Sequence, residues 1–509
     1  MISRVQIAYN SFGMALETYT NTGGIKVIER FFELPLDYAK ADGKKIRVFA
    51  RNLIPIDKAK TPGKEAKLPY RTSLPYLSRL DSPRSNCMQV DRVLKWGCKA
   101  AVDLQEKYDP AHYPETRANS NKFHEKGYQT LWLDQRGTGL STPLTPDVLT
   151  DLPSDLDKAE YVKHFRADNI VNDCEAIRKI LLGDQEKPED RKWTILGQSF
   201  GGFCALNYLS FHSEGLKEVF VTGGLAPLVD DPDVVYAALI HRVAKRNSIY
   251  YKKYPQDVGR IRQIVAYLGS NDVALPNGGR LSVIRWQALG FVFGMHGGID
   301  KIHQIVFRAS NDLELFQKLS YTTLQNIQDQ GPFDTNPLYA ILHEPIYCQG
   351  KAPKWSASRV VKDHPQFQWA HVQGLGETEP LYFTGEMVFP EMFDDFAHLR
   401  PLKGAAEILA QDSTWGVLYD LDQLAKNEVK VSAATYYEDM WVPLSEKHLL
   451  LADEDYLRRY VDFDLAQDTA RKVRDTEQYI TNRLFHNGIS VNSKEVVKQI
   501  FQLSKREYD

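Results

Sequence analysis

The chain has 509 residues, 43% hydrophobic and 25% charged, with a formal net charge of −3. That composition suits a soluble globular protein, as one large domain or a core domain with an insertion, and gives no reason to expect nucleic acid as a partner. Five cysteines without a CxxC pair argue against a zinc or disulfide framework; with no membrane-length apolar run and no signal-peptide core, the reading is a cytoplasmic protein.

In chain order, residues 23–55 alternate in polarity around Ala41-Asp42-Gly43 and predict an antiparallel hairpin. "GYQTLWLD" (127–134) predicts a strand that runs into the glycine-rich loop "QRGTGLSTP". Apolar spacing over 157–182 predicts one helix. "WTIL" (193–196) predicts a short buried strand, followed by a tight turn, a helix from Gly202, and a further strand over 218–224. From 228 to 425 the segments are long, amphipathic and rich in Arg, Lys and Tyr, which predicts packed helices; strand character returns at 429–440. The order implies an α/β protein with a doubly wound, mostly parallel sheet, its core split into 23–227 and 426–509 by a helical cap at 228–425.

The turn after "WTIL" reads Gly197-Gln198-Ser199-Phe200-Gly201, a G-x-S-x-G pattern. In a nucleophile elbow the serine sits on a turn so sharp that its neighbours two residues away must be small. By itself the pattern also fits a glycine-rich turn without chemistry. A serine nucleophile needs a base, and the base an orienting carboxylate; in the α/β-hydrolase arrangement both follow the serine in the chain. Asp439 stands at the end of the strand "VSAATYY" and is the expected acid. His448 and His486 lie beyond it; His486 is preferred, after an expected helix and before a glycine turn. The backbone N–H of Phe200, next after the nucleophile, is the expected first donor to the oxyanion.

Beyond the elbow, "DQRGTGLSTP", "GQSFGGFCALNYLS", "TGGLAPL", "FDTNPLYAILHEPIYCQG" and "FTGEMVFPEMF" resemble the signatures of the proline iminopeptidases, α/β-hydrolases of the serine peptidase class. The similarity covers about 23–60 and 125–505. It implies Ser199 as nucleophile, Asp439 as acid, His486 as base, peptides with N-terminal proline as substrates, and no metal or organic cofactor. It also implies that Glu344 and Glu386 bind the free amine, a task suited to carboxylates in an apolar setting. Two departures stand out. From Ala66 to Trp96 there is no glycine, where the family carries a glycine-rich oxyanion loop, so residues 71–121 are expected to be irregular or poorly packed. Asp439 and His486 are 47 residues apart, with residues 443–460 looking inserted. The alternatives are an esterase or amidase on the same triad, or a homologue impaired by the missing loop.

Overall fold

The computed structural model describes residues 5–10, 13–22, 25–55, 69–73, 122–331, 333–440 and 465–507, with backbone alone for the first two segments and for 69–73. The described residues include ten strands: β1 (Val5–Asn10), β2 (Gly13–Thr22), β3 (Ile25–Pro35), β4 (Lys45–Pro55), β5 (Pro69–Ser73), β6 (Thr130–Asp134), β7 (Trp193–Gln198), β8 (Leu216–Thr222), β9 (Lys430–Tyr436) and β10 (Thr476–Thr481). They form one sheet in the order β1-β2-β3-β4-β6-β5-β7-β8-β9-β10. β1 to β4 form an antiparallel meander that joins β6 antiparallel; from β6 to β10 every neighbour is parallel. This is the doubly wound, mostly parallel sheet of an α/β-hydrolase. β7 is buried at every position, and β9 at all but its first, as befits central strands covered on both faces.

The two faces fill separate cores. Val219 and Val221 of β8 pack with Cys174, Ile177, Leu206 and Leu209, from α2 (Ala167–Leu182) and α3 (Phe200–Phe211). Phe220, between them, points to the opposite core with Val496, Ile500 and Phe501 of the C-terminal helix Ser493–Lys505. The period of two along β8 is what sends its neighbours apart, and full burial of each such side chain contributes roughly 1.5–3 kcal/mol.

Between β8 and β9, the long elements are helices: α4 (Pro232–Lys253), α5 (Asp257–Ser270) and α6 (Gly298–Phe316). α4 starts where its sequence says it should. Pro232 takes the first position, and the Asp231 carboxylate accepts the N–H of Asp233.

Four sequence expectations need correction. The helix expected over 157–182 is two, α1 (Asp155–Lys163) and α2, because Arg166 takes an extended backbone (φ −79°, ψ 175°). Its buried guanidinium donates to the carbonyls of Pro345, Cys348 and Gly416, partners about 180 to 250 residues away that local periodicity cannot see. His486 follows the strand β10 and not a helix; "TEQYIT" is a half-buried strand whose signal is weak. β1 and β2 precede the expected hairpin, and residues 71–73, expected to be irregular, complete β5. Residues 74–121, the inserted-looking 443–460 and His448 lie outside the described residues.

Candidate active site

Ser199 ends β7 and begins α3 with φ 54° and ψ −124°, a backbone region that costs a serine of order 1–3 kcal/mol. The surroundings hold it there. Its N–H donates to Thr222 O at 3.1 Å, and its carbonyl accepts from Gly202 N at 2.8 Å. Space around the turn is exhausted: a Cβ on Gly197 would lie 2.2 Å from Gly201 O, and one on Gly202 would lie 1.7 Å from Gly224 O. Glycine at positions 197 and 202 is therefore demanded by backbone contact. Phe200 opens α3, so its N–H is among the amides that a helix start leaves without an intrahelical acceptor. β5 runs parallel to β7 with Ser73 opposite Gln198, so the chain leaves β5 beside the elbow.

Asp439 follows β9, its N–H bonded to Tyr436 O at 3.1 Å, and is 1% exposed. His486, in the loop after β10, is completely buried, with Nδ1 3.0 and 2.9 Å from the two Asp439 carboxylate oxygens. A neutral imidazole whose Nδ1–H donates to a carboxylate in this way carries its lone pair on Nε2. The glycine pair after β8 sets the elbow beside the loop that carries His486. A Cβ on Gly224 would lie 2.3 Å from Ser199 O, and one on Gly223 would lie 3.2 Å from His486 O.

Ser199 and Phe200 open into a pocket whose walls include Phe203, Tyr339, Tyr347 and Glu386. Tyr339 donates its hydroxyl to Glu386 Oε1, and desolvation pushes the Glu386 carboxyl up to about 8, with the Asp439 charge adding to the rise. Glu344 sits elsewhere. It is 4% exposed and is not part of the pocket wall; its two oxygens accept from Ser356 N at 3.0 Å and Ala357 N at 2.9 Å, at the start of the helix Ser356–Lys362. Burial raises its carboxyl to about 7 in spite of these bonds. The buried Tyr236 feels the charge of both glutamates, so the two acids flank one region.

The structure thus pairs Asp439 with His486, puts Ser199, Phe200 and Glu386 on one pocket, and sets Glu344 outside its wall. Two contributors went unmarked in the sequence. Tyr339 holds Glu386, and no local signal distinguishes it. Arg136, in the glycine-rich loop after β6, makes a bidentate pair with Asp173 at 2.7 and 2.6 Å and donates to Leu36 O and His164 O. It anchors the loop carrying Gln135 and Thr138 into the pocket wall. Among the described residues one group has metal-like spacing, Glu175, His212 and Glu214, but Glu175 is engaged by Arg178 and Tyr208 and His212 by Asn172. None of the described helices is long and apolar enough to cross a membrane.

A serine on a strained strand–helix elbow, with a buried aspartate–histidine pair after the last two strands of a parallel sheet, defines an α/β-hydrolase. The model of the α/β-hydrolase fold matches residues 112–267. Proline iminopeptidase aneH of Aspergillus aculeatus is 38% identical over 494 residues, spanning 97% of this chain and 96% of that protein. The proline iminopeptidase of Aeromonas sobria is 40% identical over 378 residues, spanning 74% of this chain and 80% of its own length. The chain belongs to the proline iminopeptidase family and is a hydrolase.

Proposed function

We propose that this enzyme is a cytoplasmic serine aminopeptidase that releases N-terminal proline from peptides through an acyl-enzyme. One observation carries the reading: an elbow serine and a buried carboxylate share one pocket with aromatic walls, Ser199 and Glu386 among its lining residues. The substrate's ammonium binds at Glu386, whose proton the incoming positive charge displaces, while Glu344 adds negative charge from outside the wall. Desolvation makes that charge pair strong and its loss costly, which selects peptides with a free amine. The aromatic walls take the pyrrolidine ring, and the helical segment 228–425 closes over it as a cap.

Ser199 Oγ attacks the carbonyl carbon as its proton passes to His486 Nε2. Asp439 stabilises the imidazolium, and Phe200 N–H stabilises the oxyanion. His486 then protonates the leaving amine. A water activated by the same histidine hydrolyses the acyl-enzyme, freeing proline and regenerating Ser199. Ser199→Ala is expected to lower turnover of a proline arylamide by at least about 10⁴-fold with its melting temperature unchanged. Activity retained in that variant would remove Ser199 from the mechanism.

A further inference from the structure

The base sits in a loop, and a loop is a poor platform for a group that must be placed within a few tenths of an ångström. What holds this one is not the sheet alone. Three consecutive residues, Phe485, His486 and Asn487, are each bonded to the short corner 294–296 of the helical segment. His486 N–H donates to Gly294 O at 3.3 Å, and Phe485 N–H donates to His296 Nε2 at 3.2 Å. The return bond runs from His296 N–H to Asn487 Oδ1 at 3.3 Å. The rings of His296 and Phe485 meet edge to face with centroids 4.7 Å apart.

α4 braces the same corner. Arg246 Nε donates to Phe293 O at 3.1 Å, and its guanidinium lies 4.7 Å from the Phe485 ring centre. One turn earlier Arg242 donates to Tyr437 O at 2.5 Å, and Lys245, next to Arg246, pairs with Glu438 at 3.1 Å; Tyr437 and Glu438 belong to the loop that ends in Asp439. A single helix face therefore grips the acid loop and, through Phe293 and Phe485, the base loop.

We propose that His296 is a positioning residue for the reaction: its Nε2, acting as acceptor, fixes the backbone amide before His486 and so aims the imidazole. This rests on the triad reading given above. His296 is not among the residues that line the pocket. Removing its acceptor would let the base loop shift while the proline pocket, built from other residues, stays intact. A displacement on the scale of an ångström is enough to cost catalysis heavily.

The test uses the full chain and two variants, His296→Phe, which keeps a ring and loses the acceptor, and His296→Gln, which restores an acceptor. Each is assayed on proline arylamide and for the rate at which a fluorophosphonate labels Ser199, a step that needs the base but not the proline pocket. Expected for His296→Phe is a drop in turnover and labelling of about 10- to 100-fold with KM within about twofold; His296→Gln recovers most of both. Turnover within twofold of wild type in His296→Phe overturns the proposal. So does a change confined to KM, or a His296→Gln no better than His296→Phe. Should His296→Phe fail to fold, His296→Gln and a His296→Leu variant carry the same comparison. His486→Ala runs beside them: labelling at the wild-type rate there means that the triad assignment itself has failed, and the clamp then has no base to position. His486→Ala inactive with His296→Phe fully active condemns the clamp alone.

Discussion

Glu386 is a carboxyl whose buried surroundings disfavour its charge. Its value of about 8 means that the unliganded enzyme holds the proton at neutral pH, and kcat/KM reports the free enzyme. We expect kcat/KM for a proline arylamide to climb with pH through a limb near 8, and Glu386→Gln to lose that limb and roughly 10²-fold in kcat/KM, chiefly through KM. A pH profile of both proteins decides it. The same residue bears on stability. Glu344 at about 7 and Glu386 at about 8 stand above the unfolded carboxylate value of about 4.3, so the folded protein keeps protons that the unfolded chain has released. Their contribution is complete below about pH 4 and is lost as pH rises through 7 and 8. Melting temperatures from pH 5 to 9 are therefore expected to fall less steeply in Glu386→Gln than in wild type.

At the scale of elements, the elbow was legible because its glycines are contact residues. Gly202→Ala would drive a Cβ to 1.7 Å from Gly224 O, with no flexible side chain to yield; we expect a loss of about 3 kcal/mol in urea unfolding, together with most activity. The break between α1 and α2 was not legible, since the apolar spacing runs on through it. Arg166 makes the break and fastens the core to the helical segment by three carbonyl bonds. Arg166→Met would strand the buried carbonyls of Pro345 and Cys348, and a loss of about 3 kcal/mol is expected in the same measurement. A loss below about 1 kcal/mol would mean that water or a shifted backbone replaces them. β10 escaped notice for a different reason: "TEQYIT" is half-buried and polar, so its pairing with β9 is fixed by register and not by pattern.

Across the whole molecule, the sheet order puts the end of β5 next to the elbow, so in the proposed mechanism a second oxyanion donor would come from the segment after Ser73. The sequence following Ser73 offers no glycine before Gly97. A glycine-containing loop grafted after Ser73 is expected to raise turnover by about 10²–10³-fold with KM little changed. Equal turnover in the two proteins would show that another N–H already completes the site.

The sequence alone determined the doubly wound sheet, the elbow at Ser199 and the family resemblance, because each is written in short-range rules: side-chain period, glycine where backbones touch, and motif spacing. It also offered Asp439, His486, Glu344 and Glu386, as residues whose roles depended on where the chain carried them. Only the tertiary structure decided those places. It closed 47 residues into an Asp439–His486 contact, put Glu386 on the pocket wall under Tyr339, and turned Glu344 toward the amides of Ser356 and Ala357. Those are meetings between distant segments, and their energies come from desolvation and hydrogen-bond geometry that no local window of residues contains.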